Sequence, residues 1–238
     1  MSDLHVLDEC ETTAAVVAGK SLTRFNDGEL GYAYRGWAHR HQPLNSGLIR
    51  RLKEVFESRV DNLLIAVPRV VGIDPYRDAL PSIPRFWRGW EGWCKEHFDR
   101  RTYGSGFVSY PDRHLVPADW DAYRSQWEQV WENREVVLIG NPTDCFGDTQ
   151  SAVILSSATR VHFIPSPPVD AWAQRNAIMR QAKGYAKSHL QLIACGIAGT
   201  VLAHDLCIEG YQAVDIGRLL LRFQLIEAKQ NAETHEPE

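Results

Sequence analysis

The sequence predicts an α/β fold, a mostly parallel sheet with flanking helices. Three observations predict it. Short and nearly uninterrupted apolar runs at 63–67, 136–139, 161–164 and 190–195 suit strands covered on both faces. The segments between several of them keep apolar residues at helical spacing. Near the C-terminus, a strand at 190–195, the turn Gly196-Ile197-Ala198-Gly199, a short helix at 200–209, Gly210 and a strand at 212–216 form one crossover unit. A right-handed crossover of this kind joins parallel strands.

At 238 residues the chain suits one compact domain over 1–228, with an aromatic helical insertion at about 84–133 and a disordered acidic tail at 229–238. Its formal charge of -4 gives no general attraction for nucleic acid, and 44% hydrophobic with 24% charged residues is an ordinary globular balance. The five cysteines are scattered, without C-x-x-C spacing, which predicts reduced thiols and neither a disulfide framework nor a zinc site. The N-terminus lacks the basic and apolar pattern of a secretory signal. No stretch reaches the length of a membrane span, so a cytoplasmic protein is expected.

In chain order, residues 4–18 have modest helical character and Gly19 sits at a helix C-cap before a strand at 21–25. Leu48, Ile49, Leu52, Val55 and Phe56 form the stripe of a helix packed on a sheet. Strand 63–67 ends at Pro68. Residues 72–118 are rich in Pro, Gly, Arg and aromatics, yet Phe86, Trp87, Trp90, Trp93, Cys94, His97 and Phe98 keep helical spacing. A further helix, capped by Asp119, carries Trp120, Tyr123, Trp127, Val130 and Trp131 on one side. Six of the eight tryptophans thus lie between 87 and 131, as sugar-stacking platforms or as core; helical stripes favour core. Between those helices, Arg100-Arg101-Thr102-Tyr103-Gly104-Ser105-Gly106 reads as a glycine loop, either a phosphate clamp or a solvated helix end. Residues 153–155 fit a helix or a strand. Strand 161–164 closes on Pro165, and Asp170 caps a helix running to about Lys187.

The chemistry concentrates in Arg24-Phe25-Asn26-Asp27-Gly28-Glu29. If the backbone is extended there, Asp27 and Glu29 point to one side about 7 Å apart and can face one hard cation, with Arg24 offering a fork to phosphate. The same composition also describes a solvated surface turn with Arg24 in an ordinary ion pair. The glycine turn at Gly196 opens a helix whose first amides can receive an anion. The pair His39-x-His41 reads as exposed loop.

In this order the pieces resemble one family, the GT-D glycosyltransferases, formerly a domain of unknown function found in bacterial glycosylation loci. The family pattern R-F-G-D-G-E is similar to Arg24-Phe25-Asn26-Asp27-Gly28-Glu29. Its proline-closed strand resembles Leu63-Leu64-Ile65-Ala66-Val67-Pro68. Its C-terminal T-V-L-A-x-D-L and G-Y-x-A-x-D-I-G resemble Thr200 to Leu206 and Gly210 to Gly217. The resemblance implies a Rossmann-like GT-D fold and transfer of a hexose from a nucleotide diphosphate sugar, with a UDP-sugar as donor and a glycan or glycoprotein as acceptor. It also implies that Asp27 and Glu29 hold Mn²⁺ or Mg²⁺. Arg24, Asn26, Gly196, Thr200 and Arg218 are then expected at the nucleotide, with Asp215 at ribose, sugar hydroxyl or acid/base work. A homodimer is one assembly open to such a domain.

The chain departs from the pattern at three places. Arg218-Leu219-Leu220 replaces a histidine and an acid after D-I-G, Ile197-Ala198 replaces proline-threonine, and Asn26 replaces a glycine. Either Arg218 takes over diphosphate neutralisation, or the chain is a non-catalytic nucleotide- or glycan-binding relative. A metal-dependent phosphohydrolase is a third reading.

Overall fold

The computed structural model describes residues 5–68, 89–99, 101–114, 119–146 and 154–233. The expectations placed on Phe86, Trp87, Arg100, Val153 and the last residues of the tail, 234–238, lie outside this range. Eight strands form one sheet: β1 (His5–Val6), β2 (Ser21–Arg24), β3 (Leu63–Val67), β4 (Thr102–Ser105), β5 (Glu135–Gly140), β6 (Arg160–Pro165), β7 (Leu190–Ala194) and β8 (Ala213–Asp215). Their order is β1-β4-β3-β2-β8-β7-β5-β6, and every recorded pairing is parallel. The predicted α/β, Rossmann-like parallel sheet with flanking helices is therefore present. The N-terminal four strands occupy one half and the C-terminal four the other, and they meet at β2 and β8 through Leu22 and Val214.

Alternation along the strands sends side chains to two separate layers. On β5, Val137 and Ile139 enter one layer, and Val136 and Leu138 the other. The first layer is closed by α2 (Asp27–Arg35), α3 (Ser46–Glu57), α4 (Glu91–His97), α8 (Arg175–Ala182) and α9 (Ile197–Ile208). The second is closed by α1 (Glu9–Val17), α6 (Trp120–Trp131) and α10 (Leu219–Glu233). Two short helices, α5 (Pro111–His114) and α7 (Pro142–Phe146), lie between the elements they join. Both faces being covered explains why β3, β5 and β7 are apolar runs. No described helix is long and apolar enough to cross a membrane, and no disulfide joins the five cysteines.

Several local expectations are corrected. The glycine loop at 100–106 is largely β4, bonded to β1 and β3, so the aromatic region supplies a sheet strand and is no simple helical insertion. Thr12 Oγ1 accepts from Ser105 N at 2.8 Å and Ser105 Oγ donates to Glu9 Oε1 at 2.8 Å, which pins this strand under α1. Arg101 is neither clamp nor solvated end: it donates to the carbonyls of Phe56 and Ser58 at 2.9 and 2.6 Å. The helix begun at Asp170 is a 3-10 turn over Ala171–Gln174 followed by α8, which stops at Ala182 because Lys183, Gly184 and Tyr185 close it by turn bonds. Asp119 caps α6 without a side-chain bond, and α10 continues to Glu233, through the first part of the expected tail.

Among the described tryptophans of the 87–131 stretch, the helical stripes settle as core. Trp90, Trp127 and Trp131 are all but inaccessible, and the last two stack with ring centroids 6.2 Å apart. Trp127→Ala is expected to lower unfolding free energy by about 3–5 kcal/mol in urea titration, as loss of a buried indole does; a change below about 1 kcal/mol would remove Trp127 from the core.

Candidate active site at the strand ends

All strands run the same way, so their C-terminal ends share one edge, where open parallel sheets hold ligands. β2 delivers Arg24 to that edge and β8 delivers Asp215 beside it. The Arg24 guanidinium donates from Nε to the Asp215 carbonyl at 2.8 Å and from Nη2 to Asp215 Oδ1 at 3.0 Å. Both side chains are buried, at 6% and 1% exposure. Asp215 gains two more donors, Gly217 N on Oδ1 at 3.1 Å and Thr200 Oγ1 on Oδ2 at 3.3 Å. Thr200 Oγ1 also lies 3.0 Å from the Arg24 carbonyl. Burying a charge this deeply requires such a set of partners.

The network corrects the picture of Arg24 as an open fork to phosphate, since its Nε and Nη2 are turned to Asp215. It likewise places Thr200 inside α9, which begins at Ile197, with its hydroxyl committed to Arg24 and Asp215. Asp215 itself is enclosed, at 1% exposure, at the end of β8. Gly196, the exposed N-cap of α9, is where the first amides of that helix open to the edge. Arg218 lies half-buried in the turn after β8.

Asp27 and Glu29 are not on extended backbone. Asn26 is the N-cap of α2, so the two acids occupy its first turn, where successive positions rotate by about 100° and residues two apart diverge. Glu29 turns back to accept from Asn26 N through Oε2 at 2.9 Å, while Asp27 is exposed at the mouth. Burial pushes the Glu29 carboxyl up to about 7; Asp215 adds to the rise, and Arg24 and the Asn26 amide oppose it. The Asn26 amide donates to the Gly106 carbonyl at 2.8 Å, and its Oδ1 is buried without a partner. A Cβ on Gly106 would stand 2.4 Å from that oxygen, so glycine is what lets β4 close on the cap.

Two neighbours carried no clear signal in the sequence. His39 lies against the start of α2, with its Cδ2 3.9 Å from where a Cβ on Gly28 would stand. Burial holds its imidazole below the ordinary range, helped by His41 and Arg40 and opposed by Asp27. Its Nδ1 accepts from His41 N at 3.3 Å, so the pair read as exposed loop is in part a folded wall of the mouth. Cys195 follows β7 with its Sγ 3.7 Å from the Ile139 carbonyl, and burial pushes the thiol up to about 12, which leaves it protonated and non-nucleophilic at neutral pH.

Two tests follow from this geometry. Gly217 has φ +49°, and a Cβ there would fall 2.0 Å from Arg24 Nη2. Gly217→Ala should break the ion pair's geometry and cost about 3–5 kcal/mol by chemical denaturation, whereas Gly19→Ala, with open space around it, should cost about 1 kcal/mol. Because Glu29 holds its proton more tightly folded than unfolded, its contribution to stability is full below pH 4.5 and is lost as pH rises towards about 7. The slope of unfolding free energy against pH in that window should flatten in Glu29→Gln; an unchanged slope would show that another group titrates there.

The profile of the glycosyltransferase GT-D fold family matches residues 22–234. Glycosyltransferase GlyD of Streptococcus pneumoniae is 27% identical over 210 residues, covering 84% of this chain and 25% of that protein. The probable glycosyl transferase Gly of Streptococcus gordonii is 27% identical over 213 residues, covering 84% of this chain and 30% of that protein. The chain therefore spans between a quarter and a third of the length of these curated relatives. A solved structure described as domain of unknown function 1792 with a distinct glycosyltransferase fold superposes at TM-score 0.86 with 24% identity, over 95% of this chain and 83% of the other. A glycosyltransferase of the same domain type from Streptococcus sanguinis superposes at 0.86 with 22% identity, over 95% and 85% of the two chains. With its strand order, its acid-bearing helix after β2 and a family match across nearly its whole length, the chain belongs to the glycosyltransferase GT-D fold family.

Proposed function

We propose that this chain is the donor-binding and catalytic domain of a hexosyltransferase that uses a nucleotide diphosphate sugar, a UDP-sugar, and a glycan or glycoprotein acceptor. The observation that carries this reading is the convergence at one sheet edge of two helix N-termini, those of α2 and α9, with the carboxyl groups of Asp27 and Glu29. Free amides at helix starts favour a diphosphate, and hard carboxylate oxygens favour the cation that accompanies one.

The residue types suit Mn²⁺ or Mg²⁺, but holding one ion between both acids requires Glu29 to turn from the Asn26 amide towards Asp27. Asp27 is exposed, Glu29 keeps one carboxyl oxygen on the Asn26 amide, and the buried, unpartnered Asn26 Oδ1 lies at the same helix start. Asp27 and Glu29 would hold the ion, whose bound charge would offset the negative charge that grows on the departing diphosphate. Gly196 and the first amides of α9 receive diphosphate oxygens, and Arg218, in the turn after β8, is the cation that would add charge neutralisation if its side chain reaches them. Arg24 and Asp215 act by holding the ends of β2 and β8 in register, which fixes α2 and α9 relative to each other.

The second reading, a relative that binds donor without transfer, rests on one observation: Leu220, at the place of the family's acid, is 2% exposed and packed in the core. Calorimetric titration with nucleoside diphosphates, with and without Mn²⁺, followed by a donor-hydrolysis and transfer assay, separates the two. Asp27→Asn is expected to lower metal-dependent donor turnover roughly a hundredfold with the fold intact by circular dichroism. Unchanged turnover in that variant would remove Asp27 from the mechanism, and tight donor binding with no turnover in the unaltered chain would establish the second reading.

A further inference from the structure

The opposite edge of the sheet carries a cluster that the donor site does not use. Glu135 is the first residue of β5; a histidine lies on β6 to one side of it and another directly before β7 on the other. On β6, His162 pairs with Val137, two residues along from Glu135 on the same face. On the other side Leu190 pairs with Val136, which puts His189 level with Glu135. Both imidazoles turn Nε2 to one carboxylate oxygen: Glu135 Oε2 is 3.0 Å from His162 and 2.7 Å from His189.

The geometry points to a divalent transition-metal site, and we propose that Glu135, His162 and His189 bind Zn²⁺ or a cation of its class. The three ligand atoms lie within 4.8 Å of one another. Tetrahedral zinc with ligands at about 2.0–2.2 Å needs them about 3.4 Å apart, a change that small side-chain rotations supply. Two imidazoles and one carboxylate select zinc-like ions over Mg²⁺ or Ca²⁺, which prefer oxygen throughout. An ordinary ion pair needs one histidine; here two converge on the same oxygen from opposite sides. Glu135 and His162 lie on neighbouring strands, and His189 is held directly before β7 by its amide bond to the Ala186 carbonyl at 3.0 Å, so the set is preorganised.

The surroundings agree. The Tyr185 ring packs against both imidazoles, with centroids 4.8 and 5.7 Å away, and limits their rotation. His189 Nδ1 is buried without a partner, so Nε2 is the nitrogen it presents outward. Glu135 is 42% exposed, which leaves a fourth coordination position to water or to a group from outside. A bound ion would clip edge strand β6 to β5 and β7, far in the fold from the strand ends that carry Asp27.

The test uses the untagged full chain, stripped with chelator and titrated with ZnCl₂ and, for its visible spectrum, CoCl₂. The expected result is one equivalent of Zn²⁺ bound, a rise in melting temperature, and a Co²⁺ absorption typical of low coordination number. His162→Ala and His189→Ala should each weaken Zn²⁺ binding by about tenfold or more, Glu135→Gln should do likewise while keeping the side-chain shape, and Asp27→Asn should leave it unchanged. Absence of stoichiometric binding, equal affinity in the histidine variants, or loss of the ion in Asp27→Asn would overturn the site. Because the readouts are metal affinity and spectrum, failure here leaves the donor reading untouched.

Discussion

The arrangement depends on the buried ion pair of Arg24 with Asp215. These residues are 191 positions apart, and each ends a strand that stands at the boundary between the two halves of the sheet. That boundary has a single recorded residue pair, Leu22 with Val214, so backbone bonding alone holds it weakly. The guanidinium supplies the missing restraint by binding both the carbonyl and the carboxylate of Asp215. Removing one partner of such a pair costs about 3–5 kcal/mol, because the other is left charged in a place water does not reach.

From this joint the mouth is built outward. Thr200 links the pair to the first turns of α9, and Gly217 N links it to the turn that leads to Arg218 and α10. Directly after Arg24, the chain passes through Phe25 to the Asn26 cap, so α2 starts where the guanidinium is anchored. The result is two helix N-termini and a permanent cation at one edge, set by a few buried bonds. Positive helix ends placed by a rigid base cost no reorganisation when an anion arrives.

Much of this was legible from the sequence, and the failures have physical causes. The strands of the C-terminal half are readable because each has a central apolar run, at 136–139, 161–164, 190–195 and 213–214. β4 is not, since Thr102-Tyr103-Gly104-Ser105 satisfies its surroundings through glycine close approach and hydroxyl bonds to α1, which look like loop chemistry in one dimension. Asp27 and Glu29 are legible as a pair, but whether their backbone is extended or a turn is not, because Asn-Asp-Gly serves turns and helix caps alike. The spacing of Asn26 with Glu29 three residues on is the sign that distinguishes them: it is the acid of a helix start reaching back to the cap amide. The partnership of Arg24 with Asp215 has no local sign at all. Its two ends are legible singly, and only the strand order brings them together.

The electrostatic balance of the mouth connects these points to the proposed chemistry. Arg24 faces two buried or half-buried carboxyl groups, Asp215 and Glu29, and its fork is directed at the first. The second is therefore under-compensated, which is why burial can lift its proton affinity to about 7. A site with one acid more than its arginine can neutralise favours a proton or a cation near the start of α2, with Asp27 exposed beside it. The amides at the start of α9 leave the other side of the same edge favouring an anion. A ligand that brings a cation and a diphosphate together satisfies both sides at once, whereas either alone leaves one uncompensated. That asymmetry, more than the presence of any single acid, is the physical argument for a nucleotide diphosphate at this edge.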